Sequence, residues 1–279
     1  MSIAHLLCLW LCGMMAAESR GIEKGGAISA ARYIPAIHKR MELNIMAIYL
    51  TGDTHGNFLR VDTFCRTMET TKSDTMIILG DAGFNYHLND RDTRAKEYAS
   101  ALPVKFFCIH GNHEARPQRI PAYIEGEYCG GKGRYEEAFP DILFAVDGEV
   151  YDFDGHRCIV IGGAYSIDKH YRLAHGLHWW PDEQPDGEIK MAVENRLTAL
   201  NWSVDVVLSH TCPRKYEPTE VFLSGFDQSA VDKSTEDWLD SIENRLDYKK
   251  WYCGHYHTQK RIDKLQFMFE DFDTIFIRL

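Results

Sequence analysis

From residue 46 onward, short apolar runs of strand length alternate with polar or amphipathic stretches. The runs at 47–50, 75–79 and 104–109 are largely apolar, as strands covered on both faces are. Between the first two, Phe58, Val61, Phe64, Cys65 and Met68 recur at helical spacing, which predicts a helix over 58–68. A charged helix is predicted around 91–102. This βαβαβ order predicts a partly parallel sheet that gathers ligands at its carboxyl edge.

The middle of the chain reads differently. Short strands at 142–146, 149–153 and 157–161 are separated by Asp147-Gly148 and Asp154-Gly155, which predict an antiparallel meander. Residues 164–186 form a long aromatic and polar insertion. A helix at 187–200, a strand at 205–208, a helix at 233–246 and a strand at 250–253 follow, with closing strands near 265–269 and 274–277. Together these elements predict an α/β domain of two packed sheets flanked by helices.

Composition narrows the setting. With 279 residues, 45% hydrophobic and 26% charged, the chain can build a large core. A net charge of −10 argues against indiscriminate binding to nucleic acid or to an anionic membrane. No apolar run is long enough to predict a membrane-spanning helix. The eight cysteines include no Cys-x-x-Cys pair, so a reducing, cytoplasmic setting is expected. Cys212 and Cys253 each lie two residues from a motif histidine, and packing rather than metal ligation is expected of both.

Residues 1–45 stand outside this pattern. An apolar run over 4–17 ends at Ala16-Ala17 like a signal peptide, yet no Lys or Arg precedes Arg20. Met46 opens directly into the first strand. The expectation is a leader over 1–45, produced by a mis-set start, before a functional domain over 46–279. Export is the alternative if residues 1–17 act as a signal.

Chemistry concentrates where the apolar runs end. The clusters are Gly52-Asp53-Thr54-His55-Gly56, Gly80-Asp81, Gly111-Asn112-His113-Glu114, Ser209-His210 and Gly254-His255-Tyr256-His257. They supply two Asp, one Asn and five His. Mixed carboxylate and imidazole ligands suit Mn, Fe, Zn or Ni better than Ca or Mg. Two such ions about 3.5–4 Å apart need an anionic bridge, and together they generate hydroxide and neutralise a phosphoryl group in transfer. Singly, each cluster is commonplace; five in this order, each after a strand, are not. Two histidines at i and i+2, His255 and His257, would share one face of a strand.

These clusters resemble the D-x-H, G-D, G-N-H-(E/D), single-His and G-H-x-H pattern of the calcineurin-like metallophosphoesterases, over about residues 46–260. The resemblance implies a four-layer α/β/β/α sandwich of two mixed sheets flanked by helices. It implies that Asp53, His55 and His257 bind one metal, that Asn112, His210 and His255 bind a second, and that Asp81 bridges them. Two divalent ions, Mn²⁺ foremost, are then the expected cofactors. His113 resembles the family's non-ligand histidine, which contacts phosphate and protonates the leaving oxygen. The implied reaction is in-line attack on phosphorus by a metal-bridging hydroxide, with His113 as general acid and Asp81 holding the pair of ions.

One departure is visible. The protein phosphatase branch reads G-D-x-x-D-R-G at the second cluster, where this chain has Phe84 for the second Asp and Asn85 for the Arg. A protein phosphatase is therefore not expected. Substrate contacts are sought nearby instead. Arg116 and Arg172 are candidate phosphate contacts, and Trp179 and Trp180 either stack on a substrate ring or anchor their loop. His87, His110, His170, His175 and His178 receive no role. The expected activity is phosphomonoester or phosphodiester hydrolysis on a small or medium phosphorylated substrate, with nucleic acid only as a substrate and no membrane partner. A nuclease and a non-catalytic metal-binding interaction module are the alternatives.

Overall fold

Two sheets form from the apolar runs, and their carboxyl edges meet. The computed structural model describes residues 46–222 and 228–275, so the expected leader at 1–45 and the end of the strand expected at 274–277 lie outside the described residues. In the first sheet β1 (Ile48–Thr51), β2 (Thr75–Ile78), β3 (Lys105–Cys108) and β6 (Ile142–Ala145) run parallel. The hairpin of β4 (Tyr123–Tyr128) and β5 (Gly131–Glu136) extends one edge, and β13 (Phe272–Thr274) pairs antiparallel with β1 at the other. In the second sheet β8 (His156–Ile161), β9 (Val206–Ser209), β10 (Lys250–Cys253) and β12 (Leu265–Phe267) run parallel. Its edges are β7 (Val150–Phe153) and β11 (Lys260–Ile262), both antiparallel to their neighbours.

Strand alternation decides what each sheet face meets. Ile48 and Leu50 of β1 join Ile77, Phe107, Val160, Leu208 and Tyr252 in the core between the sheets. Phe107 is central there, its ring 4.7 Å from Tyr151 and 5.2 Å from Phe153. The intervening Tyr49 faces the other way and meets Phe64 of helix α1 (Leu59–Met68) edge-on at 4.9 Å. Val61, Phe64, Cys65 and Met68, the helical stripe read from spacing, are all buried. The remaining helices are α2 (Asp90–Ala101), α3 (Lys169–Ala174), α4 (Gly187–Ala199) and α5 (Ser234–Glu243). On the outer face of the second sheet, Val193 and Leu197 of α4 and Leu239 and Ile242 of α5 pack with Val207 and Trp251. The layers are therefore α/β/β/α, as the resemblance implied.

The expected meander is not what forms. β6 pairs parallel with β3 in the first sheet, while β7 and β8 form a hairpin in the second. Asp147-Gly148 thus carries the chain between sheets, and only Asp154-Gly155 closes a hairpin. The physical reason is tertiary: the Asp147 carboxylate is buried against Arg116 Nη1 (2.5 Å) and the Gly162 N–H (2.5 Å). An Asp-Gly pair signals a turn but not which strand comes next to which. The β4–β5 hairpin has no counterpart among the expected elements, because its glycine-rich, charged strands carry little apolar alternation; Cys129-Gly130, both at positive φ, make its turn. No helix among the described residues is long and apolar enough to cross a membrane.

Phe107→Ala, at the centre of the inter-sheet core, is expected to cost about 3–5 kcal/mol in urea unfolding. Leu59→Ala, at a side chain 65% exposed, is expected to stay within about 0.5 kcal/mol. Equal, small losses from both would contradict this placement of the core.

Candidate metal centre

Each polar cluster begins where a parallel strand ends, and backbone donors tie one loop to the next. The N–H groups of Thr54 and His55 both reach Asp81 O, at 3.2 and 2.8 Å, joining the loops after β1 and β2. His113 N–H donates to Asp81 Oδ1 at 2.8 Å, adding the loop after β3. From the second sheet, His255 N–H donates to Asp53 Oδ1 at 3.0 Å, and Gly254 N–H to His210 O at 2.9 Å.

Backbone strain accompanies this convergence. His55 (φ 46°), Asp81 (φ 48°), His255 (φ 66°) and His257 (φ 48°) are all left-handed. Such a conformation costs a non-glycine residue roughly 1–2 kcal/mol. His255 and His257 lie beyond the end of β10, so left-handed turns aim their rings, not the strand alternation expected from the sequence. Gly80 (φ 96°) has a separate constraint, since a Cβ there would overlap the His210 ring.

The side chains fall into two adjoining groups. In one, His257 Nε2 lies 3.2 Å from Asp53 Oδ2 and 3.0 Å from His55 Nε2. In the other, Asn112 Oδ1 lies 2.8 Å from His210 Nε2 and 3.1 Å from His255 Nδ1. Asp81 joins them: its Oδ2 is 3.8 Å from His210 Nε2, and single ligand atoms of Asp53, Asp81 and His210 lie within 4.8 Å of one another. His113 belongs to neither group, its ring centroid being 5.9 Å from that of His55.

The donor set fits a cation, as hydrogen-bond polarity shows. His210 Nδ1 faces the Leu79 carbonyl at 2.8 Å, so Nδ1 carries a proton, and in the neutral ring Nε2 presents a lone pair. Asn112 Nδ2 donates to Ser166 Oγ at 2.9 Å, which turns Oδ1 toward that lone pair. With that ring neutral, two acceptors face each other beside two buried carboxylates. A positive charge between them relieves the repulsion and satisfies all four groups.

Local electrostatics agree with ligand protonation states. Burial alone would raise the Asp53 carboxyl, but the His257 hydrogen bond leads the contributions that hold it far below the usual carboxylate range. Burial pushes His55 down, and His113 and His255 well down, so these rings are neutral. For His257 burial acts downward too, yet the Asp53 hydrogen bond and charge prevail and raise it.

The candidate substrate contacts fare differently. Arg116 is buried, paired with Asp147 and donating to Asp182 O at 2.9 Å, contacts that brace the 164–186 insertion. Arg172 pairs with Asp168 at 2.8 Å and donates to the Tyr86 hydroxyl at 2.7 Å, and its charge helps depress His113. Trp179 donates to Glu183 at 2.7 Å under Lys169 Nζ, 4.2 Å from its ring, which is a loop anchor. Trp180 stacks with the exposed His178 at 5.9 Å. Phe84 and Asn85 are buried, the first stacked on Phe58 at 4.8 Å and the second accepting from Tyr123 OH at 3.0 Å. Cys212 and Cys253 pack in the outer core, where burial pushes both thiols well up.

Three contributors escaped the sequence reading. Arg60 Nη2 holds the carbonyls of Gly52 and Asp53 at 2.8 and 2.9 Å, and Phe269 stacks on His257 at 4.6 Å. Neither has a local signal. Ser166 had one, since it follows β8, another parallel strand with its carboxyl end beside that of β9.

A family model for calcineurin-like phosphoesterases matches residues 46–259. Among solved structures the chain is similar to TT1561 of Thermus thermophilus, at 13% identity over 82% of this chain and 98% of that one, with a TM-score of 0.44. It is also similar to AQ665 of Aquifex aeolicus, a protein of unknown function, at 15% identity over 62% and 82% of the two chains, with a TM-score of 0.32. No curated protein matches it.

Glu114 gives this centre a pH signature. Burial, reinforced by the Asp81 charge, lifts its carboxyl from 4.5 to about 8 against hydrogen bonds from Gly111, Gly83 and Ala82. A value raised on folding contributes stability that is complete below about 4.5 and lost as pH climbs to about 8. In chelator-stripped protein, the unfolding temperature of wild type should therefore fall relative to Glu114→Gln across that window. Parallel pH profiles for the two would contradict the assignment.

Proposed function

The chain belongs to the calcineurin-like phosphoesterases, and on that footing we propose that it hydrolyses a phosphoric ester of small or medium size at a centre holding two divalent cations. The observation that carries the reading is the 2.8 Å approach of His210 Nε2 and Asn112 Oδ1, fixed toward each other by Leu79 O and Ser166 and both acceptors when the ring is neutral. Asp53, His55 and His257 would hold one ion, Asn112, His210 and His255 the other, and Asp81 both. Manganese is the first choice, with iron, zinc and nickel compatible with the same donors. When bound, the ions supply hydroxide at neutral pH and neutralise charge on the phosphoryl oxygens.

The chain's own residues do the rest. Asp53 stays ionised because the His257 hydrogen bond favours the carboxylate. Hydrogen bonds orient Asp81, whose Oδ1 is engaged by the His113 N–H, leaving Oδ2 for the cation side. His113 adjoins both groups without belonging to either, the position of a proton donor to a leaving oxygen. Arg172 nearby lowers the affinity of its ring for a proton, and the negative charge of an arriving phosphate acts in the opposite sense. Buried Phe84 and Asn85 leave no carboxylate or guanidinium from that loop at the centre, which supports a substrate other than a phosphoprotein.

Mn²⁺-loaded protein is expected to hydrolyse a nitrophenyl phosphomonoester or diester in preference to single-stranded DNA. His113→Ala should lower kcat by about 10²–10⁴-fold on an alkyl ester, whose leaving group needs a proton. The loss should be much smaller on a nitrophenyl ester, whose leaving group does not. Equal losses on both would remove His113 from the acid role; preference for DNA would favour a nuclease, and no turnover with two ions bound would favour an interaction module.

A further inference from the structure

An asparagine can serve a cation only through its carbonyl oxygen, so which end of the Asn112 amide faces His210 and His255 decides whether that half of the centre exists. Nothing within the Gly111–Glu114 motif fixes that choice. The amide nitrogen is instead claimed by Ser166, 2.9 Å away and 1% exposed, on the insertion over 164–186. A serine hydroxyl has one proton, so it accepts from Asn112 reliably only if its own proton goes elsewhere. Glu183 is the acceptor at hand: burial raises its carboxyl, and hydrogen bonds from the Ser166 hydroxyl and backbone N–H act against that rise. Glu183 also accepts from Trp179 Nε1 at 2.7 Å, and its backbone carbonyl accepts from Ala164 N–H at 3.0 Å, so it is anchored at both ends.

We propose that Ser166 and Glu183 are positioning residues for the second cation, forming a relay in which an acceptor-only carboxylate orients a hydroxyl and the hydroxyl orients the Asn112 amide. The insertion is then part of the metal centre as well as its rim. Trp179 acquires a reason to sit where it does, since it holds the carboxylate that starts the relay. This rests on the two-cation reading above.

Calorimetric titration of chelator-stripped, full-length protein with Mn²⁺ tests it without reference to turnover. Wild type should bind two ions. Ser166→Ala and Glu183→Gln should weaken one step by about 10–100-fold and leave the other unchanged. The weakened step should be the one that Asn112→Ala removes, and Ser166→Ala should add nothing further in an Asn112→Ala background. Ser166→Thr, which keeps the hydroxyl, should recover most of the loss. If Glu183→Gln folds poorly, the Ser166 series and its double-mutant cycle carry the test alone. Two unaltered steps in Ser166→Ala, or both steps weakened together, would overturn the relay while leaving the two-cation centre standing. Fewer than two ions in wild type would overturn that reading, and the relay with it.

Discussion

Where the two sheets meet, His210 Nε2 and Asn112 Oδ1 face each other at 2.8 Å, as acceptors when the ring is neutral, with the carboxylates of Asp53 and Asp81 alongside. A core does not ordinarily keep such a contact, because buried lone pairs and like charges repel more strongly in a medium less polar than water. It persists here because each group is held from behind. Leu79 O holds the His210 ring, Ser166 the Asn112 amide, His113 N–H one oxygen of Asp81, and His255 N–H one oxygen of Asp53. The packing of α1, α4 and α5 on the outer faces, and of Phe107 and its neighbours between the sheets, supplies the rigidity that this arrangement needs.

The same constraint accounts for the strain at the centre itself. Left-handed backbone at His55, Asp81, His255 and His257 falls on residues that the centre uses. Parallel strands bring chain ends to one edge but spread them along it; the left-handed turns gather the side chains into two adjoining groups. Bound cations would offset this cost by differential binding to the folded chain. Strain, buried charge and facing acceptors are thus one feature seen three ways.

Much of this was legible in the sequence, and the failures have physical causes. The helical stripe from Phe58 to Met68 and the strand runs before each motif are local patterns, and they formed where expected. The seven expected ligands and His113 came together because strand ends in a parallel sheet share an edge. The meander failed because Asp147 is bound to Arg116 and Gly162, a contact that turn chemistry does not encode. Glu183 stayed invisible because one glutamate carries no periodicity, and Ser166 offered only its place after a parallel strand; the importance of both lies in hydrogen bonds to residues remote in the chain.

Anomalous diffraction from crystals loaded with Mn²⁺ tests the central claim most directly. The account predicts two manganese peaks about 3.5–4 Å apart. One should lie against Asp53, His55 and His257, the other against Asn112 Oδ1, His210 Nε2 and His255, with the Asp81 carboxylate between them. A single peak, or peaks away from these side chains, would contradict it.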